Sequence, residues 1–159
     1  LLTESKVDFI LDVVGSGDTS KYPIHTAINY KGFVEDLLSA YKECDVFISN
    51  INMGSGMKTR ILQAIASGAF VIGTPESFDG IDERYSSLYS IYSSPSDVVK
   101  LLTEIGARKV ERNGDLLNEF RDRYSYMNVA GDIYKLHCQL WTSLLLAILE
   151  VVLQSFGKF

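Results

Sequence analysis

Short apolar runs alternate with apolar stripes at helical spacing along most of this chain. Val7–Gly15 (VDFILDVVG) has too few polar positions for a strand with one solvated face, so it predicts a strand buried on both faces. Across Val34–Cys44 the apolar residues instead fall at i, i+3, i+4 and i+7, which predicts a helix with one buried stripe. The same reasoning predicts further strands at Ala27–Gly32, Asp45–Ser49, Ala69–Thr74 and Leu88–Tyr92, helices at Met57–Ser67, Ser96–Ile105 and Asp115–Tyr124, and a polar loop at 75–87. Alternating strands and helices indicate an α/β, Rossmann-like fold, with a parallel sheet flanked by helices and right-handed crossovers.

The last part of the chain has a different pattern. Residues 128–153 follow a helical spacing throughout, and Leu144–Leu149 (LLLAIL) is apolar on every side. This run is too short to cross a bilayer, which takes about 20 apolar residues. Two interpretations stay open: a terminal helix that packs on a longer parent protein or self-associates through 144–153, and a helix at a membrane surface. We divide the chain into a Rossmann-like domain at 1–142 and an apolar helical tail at 143–159.

Composition narrows the classes of function. The 159 residues are 47% hydrophobic and 22% charged, as in a globular domain. A net charge of −5 argues against a nucleic-acid binder, because such proteins need a positive surface to displace phosphate counterions. Cys44 and Cys138 lack metal-ligand or disulfide spacing, so we expect no metal cofactor and a reducing compartment. His25 and His137 are solitary, and we interpret them as loop and helix-surface residues.

The sequence NMGSGMKTRILQAIASG, at 52–68, carries the chemistry most typical of a site. Gly54 and Gly56 around a small hydroxyl residue allow backbone N–H groups to converge on an anion, and the following helix adds its positive dipole end. Lys58 or Arg60 would neutralise the charge of that anion, and Gln63, one turn further on, would hydrogen-bond a neutral hydroxyl group. A diphosphate with sugar hydroxyls describes a nucleotide-sugar. The alternative is a tight connection between a strand and a helix, with solvated charges on the helix.

The position of this turn favours the ligand. It lies between two predicted parallel strands, at their carboxyl ends, where open α/β sheets place their ligands. Gly15 and Gly17 end another predicted strand, which we expect at the same edge. With no metal site visible in the sequence, we expect the charge of a departing diphosphate to be stabilised by the helix dipole, backbone amides and Lys58 or Arg60. No pair of carboxylates at the turn could support a double-displacement route.

Several motifs in one order resemble a known family. LDVVGSG, INYKGFVEDLLSAYKECDVFIS, GSGMKTRILQAIASGAFVIGTPESFDGI and RYSYMNVAGDIYKLHCQL are similar to the C-terminal, donor-binding domain of GT-B "group 1" glycosyltransferases, over about residues 7–142. The resemblance implies a glycosyltransferase of the hexosyltransferase type, working in polysaccharide or glycoconjugate synthesis near a lipid-linked or glycan acceptor. It implies cytoplasmic localisation, peripheral to a membrane, and a nucleotide-sugar donor as substrate rather than as cofactor.

The resemblance also assigns residues. It implies that Gly15 and Gly17 border the donor cleft and that Gly32, Phe33 and Val34 lie beside the base. The resemblance implies that the diphosphate meets Gly54, Ser55 and Gly56, with Lys58 and Arg60 as the catalytic cations.

Two departures leave the activity open. Members often carry two glutamates around this turn, whereas Ser55 and Gln63 occupy the matching positions here. Neither can carry negative charge, so weak donor affinity, an altered donor or lost activity all follow as possibilities. The opening LLTESK is typical of the end of a helix, so we expect the first strand of the sheet and an N-terminal acceptor domain to be missing from this chain. We expect this fragment alone to be inactive.

Two rival functions are carried forward. The first is a non-catalytic binding or scaffolding domain derived from a GT-B enzyme, which the uncharged Ser55 and Gln63 favour. The second is a nucleotide-sugar epimerase of the same two-domain architecture. It is disfavoured because such enzymes rely on carboxylates that this sequence lacks at the matching positions.

Overall fold

The fold was analysed in a computed structural model, which describes residues 8–21, 24–54, 56–107, 114–125, 128, 135 and 139. The chain divides into two compact units, Leu1–Asn118 and Glu119–Phe159. The predicted division at 142/143 lies outside the described residues and stays a prediction. His137, Cys138 and the apolar run at 144–153 also lie outside them.

The described strands are all parallel and form two small sheets. Strands β1 (Leu11–Val14) and β2 (Ile28–Gly32) pair in one sheet. In the other, β4 (Phe70–Gly73) lies between β3 (Val46–Ser49) and β5 (Tyr89–Ile91). The helices are α1 (Leu37–Glu43), α2 (Thr59–Ser67), α3 (Pro95–Ala107) and α4 (Gly114–Arg123). The α/β, Rossmann-like class is therefore confirmed, with the strands divided between two sheets.

Strand β1 differs from its prediction. Its side chains alternate between half-buried and exposed positions, and Asp12 and Val14 are exposed. Among the described residues β1 pairs with β2 alone, so it lacks the neighbours that would cover both of its faces. The prediction of a strand buried on both faces is wrong for β1, whereas β4, between two strands, is buried almost throughout.

Helix α2 and strand β4 form the best-buried part of the core. The spacing predicts one face with Met57, Ile61, Ala64, Ile65 and Gly68, and the side chains of Ile61, Ala64 and Ile65 are at most 1% exposed. Met57 instead precedes the helix and is 46% exposed. The helix stops at Gly68, whose φ of 95° is left-handed and whose N–H donates to the carbonyls of Ala64 and Ile65. The chain then enters β4, and α2 packs against α1 beside it.

The predicted polar loop at 75–87 is more structured than its composition indicates. It contains two 3₁₀ helices, Pro75–Phe78 and Glu83–Leu88. Phe78 stacks on Tyr89 of β5 with ring centroids 3.9 Å apart, and Tyr85 is fully buried. Apolar side chains spaced irregularly among polar ones give no helix or strand period, so this packing was not visible in the pattern.

Local caps set where two helices begin. Asp36 accepts hydrogen bonds from the backbone N–H and hydroxyl of Ser39, so α1 begins at Leu37 rather than at the predicted Val34. Ser94 and Asp97 cap α3 reciprocally: the Asp97 N–H donates to the Ser94 hydroxyl, and the Ser94 N–H donates to the Asp97 carboxylate. Ser94 is therefore the residue that caps α3.

Candidate functional site

The turn between β3 and α2 has the backbone that the glycines predict. Gly54 and Gly56 have φ values of 112° and 84°, which lie in the left-handed region that favours glycine. A side chain at either position would be strained, although no neighbouring atom lies within 4 Å of an added Cβ. The left-handed backbone conformation, rather than crowding by neighbouring atoms, therefore favours glycine at both positions. Ser55 between them lies outside the described residues.

The first turn of α2 is suited to an anion. Its N-cap residue is Lys58, which makes no side-chain capping hydrogen bond, and no acidic residue occupies the first turn. The first amides of a helix lack partners within the helix and lie at its positive end. Uncapped amides beside two left-handed glycines can donate hydrogen bonds to a negatively charged oxygen.

Lys58 is engaged with the turn itself. Its ammonium Nζ donates to the carbonyl oxygens of Gly56 at 2.6 Å and of Gly54 at 3.0 Å. These bonds satisfy carbonyls and leave the amides of the turn unoccupied by Lys58. The positive charge of Lys58 thus lies at the turn, although its ammonium group already donates hydrogen bonds to two carbonyl oxygens.

Arg60 and Gln63 share the exposed face of α2, opposite the buried stripe. Arg60 forms no hydrogen bond or ion pair with any part of the chain that the structure describes. Burial raises the pKa of the Tyr41 phenol in the neighbouring helix α1, and the positive charge of Arg60 opposes this rise. Arg60 therefore lies close to Tyr41 with its guanidinium available to a ligand.

The structure also brings two glycines of the first sheet together. The Gly15 N–H donates to the Gly32 carbonyl oxygen at 2.8 Å, where β1 and β2 end. Phe33 is 79% exposed beside them, and Val34 is half-buried. Among the described residues, no hydrogen bond or ion pair joins this pair of glycines to Gly54 or Gly56. At Gly17, no neighbouring atom lies within 4 Å of an added Cβ.

The root of the turn is held by residues that the sequence analysis did not identify. Ser49 ends β3, and its hydroxyl lies 2.9 Å from that of Ser77. The Thr74 hydroxyl, just after β4, lies 3.1 Å from the Ser77 hydroxyl and donates to the Ile51 carbonyl. The Tyr92 hydroxyl, after β5, donates to the Asn50 side chain at 3.1 Å. Small hydroxyl residues at strand ends were the available signal, but nothing in their spacing showed that they meet.

Other chemistry is sparse. Within the described ranges no cluster of His, Cys, Asp and Glu could hold a metal ion, and no helix is long and apolar enough to cross a membrane. His25 has a local role as predicted, because its Nδ1 accepts a hydrogen bond from the Ala27 N–H at 3.1 Å.

Comparison with known proteins gives one match. A family model described as "Glycosyl transferases group 1" matches residues 1–105, about two thirds of the chain, and includes the turn and α2. No curated protein and no solved structure matches the chain.

Proposed function

The chain belongs to the group 1 glycosyltransferase family, and on that premise we propose that it binds the nucleoside diphosphate of a nucleotide-sugar donor. The sugar is then transferred to an acceptor hydroxyl in polysaccharide or glycoconjugate synthesis. The acceptor, a lipid-linked or glycan molecule, and a peripheral location at a membrane belong to the same proposal. The inactivity of these 159 residues alone also belongs to it.

The observation that carries the proposal is the start of α2. Uncapped amides, two left-handed glycines and a first turn without acidic residues favour a diphosphate there. Arg60, free of protein partners among the described residues, supplies the bidentate cation that phosphate oxygens prefer. Gln63, exposed one turn further on, is placed to hydrogen-bond a ribose hydroxyl.

In the proposed step, the bond between the anomeric carbon and a diphosphate oxygen breaks. A bond from that carbon to the acceptor oxygen forms, and the acceptor hydroxyl loses its proton to solvent or to a base. The departing diphosphate gains negative charge, which the helix amides, Lys58 and Arg60 stabilise. Lys58 would exchange one or both of its carbonyl partners for a phosphate oxygen.

The test is a titration of the full-length protein with uridine, guanosine and adenosine diphosphates by isothermal calorimetry. Because hydrogen bonds to charged groups contribute more than neutral ones, Arg60→Ala should weaken binding by roughly 10- to 100-fold. Lys100→Ala removes a positive charge from the exposed surface of α3 and should leave affinity unchanged. Equal affinities of Arg60→Ala and the wild type would remove Arg60 from the site.

A non-catalytic binding domain is the second candidate, and the engagement of Lys58 favours it. An ammonium group that already holds the carbonyls of Gly54 and Gly56 stabilises the turn through contacts within the protein. If the full-length protein binds none of the three diphosphates and transfers or hydrolyses no nucleotide-sugar, this candidate replaces the first.

A further inference from the structure

Three hydroxyl groups meet in the core at the carboxyl ends of β3 and β4. Ser49, Thr74 and Ser77 are 5%, 6% and 0% exposed. Each lies within hydrogen-bond distance of another, and the described part of the chain contains no buried side-chain polar atom without a partner. Buried polar groups that form a complete network are rigid, since each loses more by breaking than it would in water.

Counting protons gives this network a direction. A hydroxyl has one proton, and the Ile51 carbonyl can only accept, so Thr74 must use its proton on Ile51. Ser77 must then donate to Thr74, and Ser49 must donate to Ser77. The series of hydrogen bonds therefore runs from Ser49 through Ser77 and Thr74 and ends on the backbone carbonyl of Ile51.

The last of these hydrogen bonds, from Thr74 to Ile51, holds the loop that leads to the proposed donor site. Ile51 lies two residues after β3, and the same loop carries Gly54 and Gly56 into α2. Tyr92 holds the adjacent Asn50 from the end of β5. The ends of β4 and β5 thus fix the root of the loop, whereas Lys58 binds the carbonyls near its tip.

We propose that Thr74 is a positioning residue for nucleotide-donor binding, which holds loop 50–56 where its amides can meet the diphosphate. This inference rests on the proposed function. Thr74 reaches the ligand only through Ile51 and the loop. Ser77 and Ser49 orient the Thr74 hydroxyl, but neither of them contacts the loop carbonyl.

The first measurement is hydrogen exchange, which needs no ligand. Thr74→Val keeps the shape of the side chain and leaves the Ile51 carbonyl without its donor, so amides of loop 50–56 should exchange at least about tenfold faster. Thr74→Ser keeps the hydroxyl and should restore the wild-type rate. Thr103→Val is the matched control, because it makes the same substitution on the exposed surface of α3, where the hydroxyl donates to the Val99 carbonyl and not to the loop. Unchanged loop exchange in Thr74→Val would overturn the inference.

The second measurement is the diphosphate titration. If loosening leaves one loop in ten competent, the apparent Kd of Thr74→Val rises about tenfold, whereas Thr103→Val and Thr74→Ser stay within about twofold of the wild type. If the wild type binds a diphosphate and Thr74→Val binds it equally well, the positioning role alone is overturned. A wild type that binds no diphosphate overturns the proposed function, and with it the role of Thr74 in donor binding, even if loop exchange accelerates.

Discussion

At the scale of single residues, Gly73 is the glycine, among those that the structure describes, at which an added Cβ would lie closest to its neighbours. A Cβ there would lie 2.8 Å from the Ser77 Cβ, 2.9 Å from its hydroxyl oxygen and 3.1 Å from the Phe78 ring. The 3₁₀ helix at Pro75–Phe78 therefore packs directly on the backbone of β4. This close approach is also what brings Ser77 within reach of Ser49 and Thr74.

We expect Gly73→Ala to destabilise the protein by about 1–3 kcal/mol, because overpacking a close-packed core forces backbone or side-chain shifts. The measurement is the free energy of unfolding in urea. Gly106→Ala is the control: it lies on the exposed surface of α3 with nothing within 4 Å of an added Cβ. Since alanine favours a helix over glycine, this control should be neutral or stabilising by up to about 1 kcal/mol. Equal stability of Gly73→Ala and the wild type would contradict the packing argument.

At the scale of elements, helices α2 and α3 begin differently. Helix α3 has a reciprocal side-chain cap, whereas α2 has no side-chain capping bond at Lys58. A cap uses the amides that would otherwise bind an anion. This difference is the reason that the proposed diphosphate site is at α2 rather than at α3.

The cap of α3 predicts a dependence on pH. Hydrogen bonds from the Ser94 hydroxyl and from the N–H groups of Ser93 and Ser94 hold the pKa of the Asp97 carboxyl below its usual 3.8. Because the folded pKa is lowered, the stabilisation is fully present above the unfolded value and is lost as the pH falls through the folded one. Asp97→Asn should therefore lower the Tm at pH 7, and the difference from the wild type should shrink as the pH falls below 3.8.

Thermal unfolding followed by circular dichroism across this range measures the effect. Glu104→Gln changes a charge on the same helix, far from its N-terminus, and should cause no such loss. A constant difference between Asp97→Asn and the wild type at every pH would show that the charge of Asp97 does not stabilise α3.

At the scale of the whole molecule, stability should differ between the sheets. Strands β1 and β2 form a two-stranded sheet with exposed positions, whereas β4 is central and covered by α2. Small two-stranded sheets are marginally stable, and local opening is easiest where little apolar surface is buried.

Hydrogen exchange by NMR tests this difference directly. The amides of Leu11 and Gly15 are hydrogen-bonded at 2.8 Å, yet we expect them to exchange at least about tenfold faster than those of Val71 and Ile72. Because all four amides lie in or beside paired parallel strands, the comparison isolates the effect of burial. Equal protection would show that both sheets open together.

Local sequence patterns predict much of the fold. The spacing of Ile61, Ala64 and Ile65 predicts the buried face of α2, and Gly68 predicts its end, because a helix turn and a left-handed cap depend on neighbours in sequence. Gly54 and Gly56 likewise predict their left-handed backbone. The residues assigned to the donor site stay predictions, as do the cations Lys58 and Arg60.

Other features depend on residues far apart in the chain. Ser49 meets Ser77 across 28 positions, and Thr74 holds Ile51 across 23, so only the packing of β3 beside β4 brings these hydroxyls together. The exposure of β1 likewise follows from which strands pair, and its apolar sequence alone predicted the opposite. The sequence by itself determined the class of fold, the buried face of α2 and the glycine turn, because these depend on periods and backbone freedom within a few residues. The tertiary structure decided the partition into two sheets and the anchoring of the loop, because pairing and burial are properties of distant segments in contact.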